Sequence, residues 1–196
     1  MLKAIVFDVG GTYFQGSYLG FLEKSCKLLG IPLTTVTEGG VIFNTDLHKG
    51  TVSAEACFRK LFKTTINSLK MQTILRYWGD TWSPDPKMVK LVHRLKEKYR
   101  LALFSNSDLL NSIKYREMGW YEGFDPIILS HELGIIKPEP EIFKILLDKL
   151  GLSPQDCLLV DDQVKVTRMG RKLGFQTILF TGAENLERAL QILEVL

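Results

Sequence analysis

Four short segments carry the side chains able to do chemistry. Phe7-Asp8-Val9-Gly10-Gly11-Thr12 sets a carboxylate at the end of an apolar run. Two glycines follow it, and bare backbone there lets N–H groups approach a ligand closely. Phe104-Ser105-Asn106-Ser107-Asp108 places a small hydroxyl at a second strand end, where it can donate to an anionic oxygen beside a helix N-terminus. The plainer reading of that segment is that Ser107 or Asp108 is a helix N-cap. In Gly134-Ile135-Ile136-Lys137-Pro138-Glu139-Pro140, Lys137 stands immediately before a Pro-started helix, where its ammonium can meet a phosphate or steady a carboxylate. Leu158-Leu159-Val160-Asp161-Asp162-Gln163 ends an apolar strand in two adjacent carboxylates. These repel each other unless a cation or donors compensate, which makes this segment the most informative of the four.

The elements that must position these groups follow from periodicity. Leu2 to Phe7 reads as a buried strand. From about residue 17 to 83 the pattern is helical throughout. Leu19, Leu22, Cys26 and Leu29 repeat at helical spacing, with Gly30 closing the helix. A looser stretch runs from Thr34 to His48, interrupted by Gly39-Gly40. Further helices are expected from Ser53, with Ala54, Cys57, Phe58, Leu61 and Phe62 on one face, and from Leu69 to Trp82. Asp85 and Pro86 read as N-cap and first residue of the next helix. Strands at 101–104, 127–129, 157–160 and 177–180 then alternate with helices at 109–118, 138–150, 164–173 and 184–196. That alternation predicts an α/β fold, a Rossmann-like doubly wound parallel sheet. Residues 1–15 and 84–196 form its core domain, and 16–83 an inserted helical cap above the strands' C-terminal ends, where such sheets bind ligands.

Composition narrows the classes. Of 196 residues, 45% are apolar and 24% charged, as in a soluble globular protein. The three Cys form no CxxC pair, which argues against a zinc knuckle or disulfide framework and suits a reducing cytoplasm. Apolar runs are too short to span a membrane, and Met1-Leu2-Lys3 leads straight into a strand with no signal peptide. A net charge of +3 from scattered Lys and Arg offers no basic stripe for nucleic acid.

Taken in order, Asp8, Ser105, Lys137-Pro138 and Asp161-Asp162 resemble the four motifs of the haloacid dehalogenase superfamily, with a helical cap between the first and second. The resemblance covers essentially the whole chain. It is nearest to the branch of sugar-phosphate phosphatases and the N-terminal phosphatase domain of soluble epoxide hydrolases. It implies a phosphatase of a small phosphorylated metabolite, acting as monomer or homodimer. Asp8 is then the nucleophile that forms an aspartyl-phosphate. Ser105, Asn106, Lys137 and Gly11 contact the phosphoryl group, and Lys137 also neutralises Asp8. Asp8, the Gly10 carbonyl and Asp162 hold Mg²⁺, with Asp161 beside them or as an alternate ligand.

Two positions depart from that pattern. Gly10 stands where the usual phosphatase has a second Asp that protonates the leaving group, a loss of about 10²–10⁴ in rate. Val166 stands where a polar residue is frequent, and Lys165 adds a positive charge near the metal position. These features favour leaving groups that need little protonation, such as acyl, aryl or anomeric phosphates, or a proton donor from the cap, for which His48 and Asp46 are the candidates. Trp78, Trp82 and Phe58 are candidates for a ligand pocket or, at helical spacing, for cap core. Two alternatives compete. One is an L-2-haloacid dehalogenase, against which stand the paired Asp161-Asp162 and the absence of Arg from residues 13 to 30. The other is a catalytically weak phosphate- or partner-binding module.

Overall fold

The computed structural model describes residues 1–36 and 45–196. Strand β1 (Ala4–Phe7) is buried throughout, and its side chains alternate between two apolar layers. Ile5 and Phe7 enter one layer; Ala4 and Val6 enter the other. This two-residue period, with both faces covered, is why the strand reads as an unbroken apolar run. Two further strands repeat it, with Leu101 and Leu103 against Ala102 and Phe104, and Leu158 and Val160 against Cys157 and Leu159.

After β1 the chain makes a short strand, β2 (Phe14–Gly16), and then α1 (Tyr18–Leu29). The Ser17 hydroxyl caps α1 by accepting from the Gly20 N–H, and Gly30, at φ 73°, ends it. A 3₁₀ turn at Leu33–Thr35, a helical turn at 45–48, α2 (Ala54–Phe62) and α3 (Ser68–Gly79) follow. Strand β3 (Trp82–Pro84) leads to α4 (Pro86–Leu95), where Asp85 caps as expected by accepting from the Lys87 N–H. The remainder alternates: β4 (Arg100–Ser105), α5 (Leu109–Glu117), β5 (Ile127–Leu129), α6 (Ser130–Leu133), α7 (Pro140–Leu150), β6 (Cys157–Asp161), α8 (Val164–Lys172), β7 (Gln176–Leu179) and α9 (Ala183–Ile192).

Five strands form one parallel sheet in the order β5-β4-β1-β6-β7. Side chains of α4, α5 and α9 cover one face, and those of α7 and α8 the other. The α/β doubly wound architecture read from the sequence is therefore the fold observed. Phe7 lies level with Leu103 on one side and Val160 on the other. That register brings the residues after β1, at the end of β4 and at the end of β6 to one edge, where the order of strands reverses. The helices between β2 and β3 bury a separate apolar cluster that includes Phe21, Cys57, Phe58, Phe62, Ile74 and Trp78.

Three readings need correction. The stretch from 17 to 83 is not purely helical at its borders: β2 and β3 pair antiparallel, Phe14 with Pro84 and Gly16 with Trp82. The expected helix through Trp82 stops at Gly79, because Asp80 leaves the helical conformation and the next residues join this ribbon. The helix expected from Pro138 opens at Pro140, because residues 136–139 close a turn in which the Glu139 N–H donates to the Ile136 carbonyl. The Gly39-Gly40 interruption expected between Thr34 and His48 lies outside the described residues.

Candidate active site

Asp8 leaves the central strand with its backbone N–H donating to the Val160 carbonyl at 2.9 Å. Its carboxylate is buried, and Oδ1 accepts from the Lys137 ammonium at 2.7 Å. The same ammonium donates to Asp161 Oδ2 at 2.6 Å and to the Phe104 carbonyl at 2.7 Å. Lys137 is fully buried, and its three N–H donors are all taken by the protein. In this arrangement no N–H of the ammonium is left for a further acceptor. Burial alone would lower its pKa, but the charges of Asp8 and Asp161 and their hydrogen bonds outweigh that and raise it, so the ammonium stays charged.

Asn106 fixes the loop that delivers this lysine. Its amide donates to the Lys137 carbonyl at 3.0 Å, and its Oδ1 accepts from the Lys137 N–H at 2.7 Å. Asp161 is occupied at both oxygens, since Oδ1 accepts from the Gln163 N–H at 2.8 Å. Asp8 Oδ2, by contrast, is buried and has no partner among the described residues. Burial raises the Asp8 pKa, Lys137 pulls it down, and Asp161 pushes it up again. Burial and the Asp161 charge also raise Asp162, which is the exposed member of the acidic pair.

One oxygen each of Asp8, Asp161 and Asp162 lies within 4.8 Å of the others. Three carboxylates gathered beside one ammonium form a donor set that fits a hard divalent cation. Gly11 makes room for the Asp162 carboxylate. At φ 88° it occupies the left-handed region, and a Cβ there would stand 2.5 Å from Asp162 Oδ2. Its N–H is already given to the Phe14 carbonyl at 3.0 Å.

These groups open onto a cavity of about 690 Å³. Asp8, Gly10, Ser105, Asn106 and Asp162 line its floor, while Tyr18, Thr45, His48 and Trp78 come from the helical segment. Of the sequence candidates, Trp78 and Trp82 reach the cavity. Phe58 lies instead in the core of the helical cluster. Asp46 does not line the cavity, Lys165 does, and Val166 is buried beneath the sheet. The sequence reading missed three polar lining residues: Asn111 and Tyr115 on α5, and Tyr121 just beyond it. Asp108 shared the segment with Ser105, and its capping role is confirmed. It accepts from the Asn111 N–H and, in addition, from the Trp78 indole N–H at 3.0 Å.

His48 gives a pH test of this geometry. Burial, together with the charges of His131, Lys137 and Lys165, pulls its pKa down to about 4 from an ordinary 6.5. Between those values the unfolded chain binds more protons than the folded one, so stability falls as pH drops from about 6.5 toward 4. His48→Gln is expected to remove on the order of 1–2 kcal/mol of that acid-side loss. Melting temperatures of both proteins at pH 7 and pH 4.5 check this, and equal differences would contradict a neutral, enclosed His48.

A family model described as haloacid dehalogenase-like hydrolase matches residues 2–174. The chain is 26% identical over 195 residues to a D-ribitol-5-phosphate phosphatase of Bacteroides thetaiotaomicron, covering 90% of this chain and 91% of that protein. It is 27% identical over 184 residues to a glyceraldehyde 3-phosphate phosphatase of Methanothermobacter thermautotrophicus, covering 87% and 81%. A similar fold is seen in a HAD family enzyme from Bacteroides thetaiotaomicron in complex with magnesium and inorganic phosphate. There the TM-score is 0.78 at 22% identity, over 91% of this chain and 93% of that one.

Proposed function

Because the chain belongs to the haloacid dehalogenase-like hydrolase family, we propose that it is a magnesium-dependent phosphatase of a small phosphorylated metabolite. The observation that carries this reading is Asp8 Oδ2, a buried carboxylate oxygen beside the cavity without a partner among the described residues. It is the atom free to attack phosphorus, while Oδ1 is held by Lys137. As the Asp8–phosphorus bond forms, the bond to the leaving oxygen breaks, and water later releases phosphate from the aspartyl-phosphate. Ser105 and the Asn106 backbone would take phosphoryl oxygens. Asp8, Asp162 and the Gly10 carbonyl would hold Mg²⁺, which when bound neutralises phosphoryl charge. The relatives named above, which act on ribitol and glyceraldehyde phosphates, support a sugar-like metabolite.

The departing oxygen meets no acid at position 10. His48, held neutral, is no cationic donor at neutral pH. Acyl, aryl and anomeric phosphates, whose leaving groups need little protonation, are therefore the preferred substrates in this reading. Among the described residues the cavity wall carries no Arg to hold a haloacid carboxylate, which favours phosphatase over dehalogenase chemistry.

The test is turnover of para-nitrophenyl phosphate with and without Mg²⁺, beside chloride release from chloropropionate. Metal-dependent phosphate release supports the proposal. Metal-free chloride release, or inactivity in both assays, overturns it. Gly11→Ala should raise the Mg²⁺ concentration for half-maximal rate by roughly tenfold, because the new Cβ displaces Asp162, and should cost about 1 kcal/mol for its left-handed backbone. An unchanged Mg²⁺ dependence would remove Asp162 from the metal site.

A further inference from the structure

Buried polar atoms in folded proteins are nearly always hydrogen-bonded. Here the Tyr18, Tyr115 and Tyr121 hydroxyls and Asn111 Oδ1 are all buried without a partner among the described residues. Their residues line the same cavity as Asp8. They come from α1, α5 and the segment after α5, so no single misplaced element accounts for them. We propose that Tyr18, Asn111, Tyr115 and Tyr121 read the hydroxyl groups of a polyhydroxylated phosphate ester, and that most of this specificity sits on α5 and the segment after it. The inference rests on the phosphatase reading above and adds the residues that choose the leaving group.

The chemistry of the set selects the ligand. Asn111 has its amide N–H₂ turned to Asp108 Oδ2 at 3.0 Å, which leaves Oδ1 as an acceptor. The three phenols remain protonated, since burial raises each of them. They can both donate and accept. A sugar or polyol hydroxyl does the same, so several hydroxyls on one ligand satisfy the phenols and the amide together. A prenyl or alkyl chain would leave these groups unpaired. A second carboxylate on the substrate would face the buried Asp108. Phe14, Trp78 and Trp82, which also line the cavity, offer apolar faces to the C–H side of such a ligand.

The rings themselves are held independently of their hydroxyls. Tyr115 stacks on Trp120 at 5.3 Å and meets Phe14 edge-on at 4.8 Å, while Tyr121 stands edge-on to Tyr115 at 5.9 Å. Tyr→Phe replacements therefore test the oxygens alone. For Tyr115→Phe and Tyr121→Phe, kcat/KM on pentose 1-phosphates, which carry hydroxyls on an anomeric leaving group, is expected to fall about three- to tenfold for each hydroxyl removed. Turnover of phenyl phosphate should stay within twofold. Equal losses on both substrates would show a merely structural role and overturn the proposal. A wild-type preference for prenyl phosphate or for a nucleotide over every polyol phosphate would do the same. Calorimetric titration of Asp8→Asn with pentitol phosphate and with phenyl phosphate, in Mg²⁺, separates the two readings. If hydroxyl-dependent binding persists without any turnover by the wild type, the phosphatase reading falls and this one stands. If phenyl phosphate is hydrolysed but binding ignores hydroxyls, this one falls alone.

Discussion

Asp8→Asn is expected to lower para-nitrophenyl phosphate turnover by on the order of 10⁴-fold or more, while leaving the protein at least as stable as before. On the proposed mechanism the loss follows from chemistry: an amide in place of the carboxylate removes the attacking oxygen, and the groups that would hold phosphate would not replace that step. The stability follows from charge. Asp8 and Asp161 share a single buried ammonium, with contacts of 2.7 and 2.6 Å. Neutralising Asp8 leaves one matched pair, keeps an oxygen able to accept from Lys137, and relieves the burial of a second carboxylate. Without Mg²⁺, the variant should gain about 1–2 kcal/mol, or a few degrees in melting temperature. Turnover within tenfold of wild type would end the assignment of Asp8 as nucleophile. A lower melting temperature would show that the second buried charge stabilises the fold.

Gly10→Asp is expected to act in the opposite sense, raising turnover of alkyl phosphates by about 10²-fold or more. Position 10 lines the cavity, lacks a positive φ, and has no atom within 4 Å of where a Cβ would stand. An aspartic acid can therefore be accommodated and supply the missing proton to the leaving oxygen. The gain should be smallest for aryl phosphates, whose leaving groups need no proton, so the dependence of rate on leaving-group pKa should flatten. Because the change adds a further carboxylate beside Asp8 and Asp162, the assay requires saturating Mg²⁺. A slope as steep as that of the wild type would show that protonation is not what limits this site.

Much of the fold and the site floor was legible in the sequence, because both rest on local signals. Buried parallel strands appear as short apolar runs, and Asp8, Ser105 and Asp161 stand at or just past the ends of three of them, which the register brings to one side of the sheet. The β2–β3 ribbon left no such trace. Its strands are three residues each, one contains Pro84, and their pairing links positions that only the folded helical segment brings together. The contact of Asp161 with Lys137 was equally hidden, since the lysine arrives from a separate loop. Asn111 and Tyr115 lie on α5 in no motif that residue spacing picks out. What marks them is a lack of partners among the described residues, which no spacing encodes.

The ribbon has a consequence for how such molecules diversify. The chain departs along β2 and returns along β3, and at Gly16 the approach is so close that a Cβ would come within 2.1 Å of the Thr81 carbonyl oxygen. Both ends of the excursion are thus stitched at one point. Extending it costs little in closure entropy, growing only with the logarithm of its length. Helices there can be lengthened, exchanged or recombined between lineages while the five parallel strands and their acidic edge keep their register. New chemistry of recognition can then arise without refolding the catalytic platform.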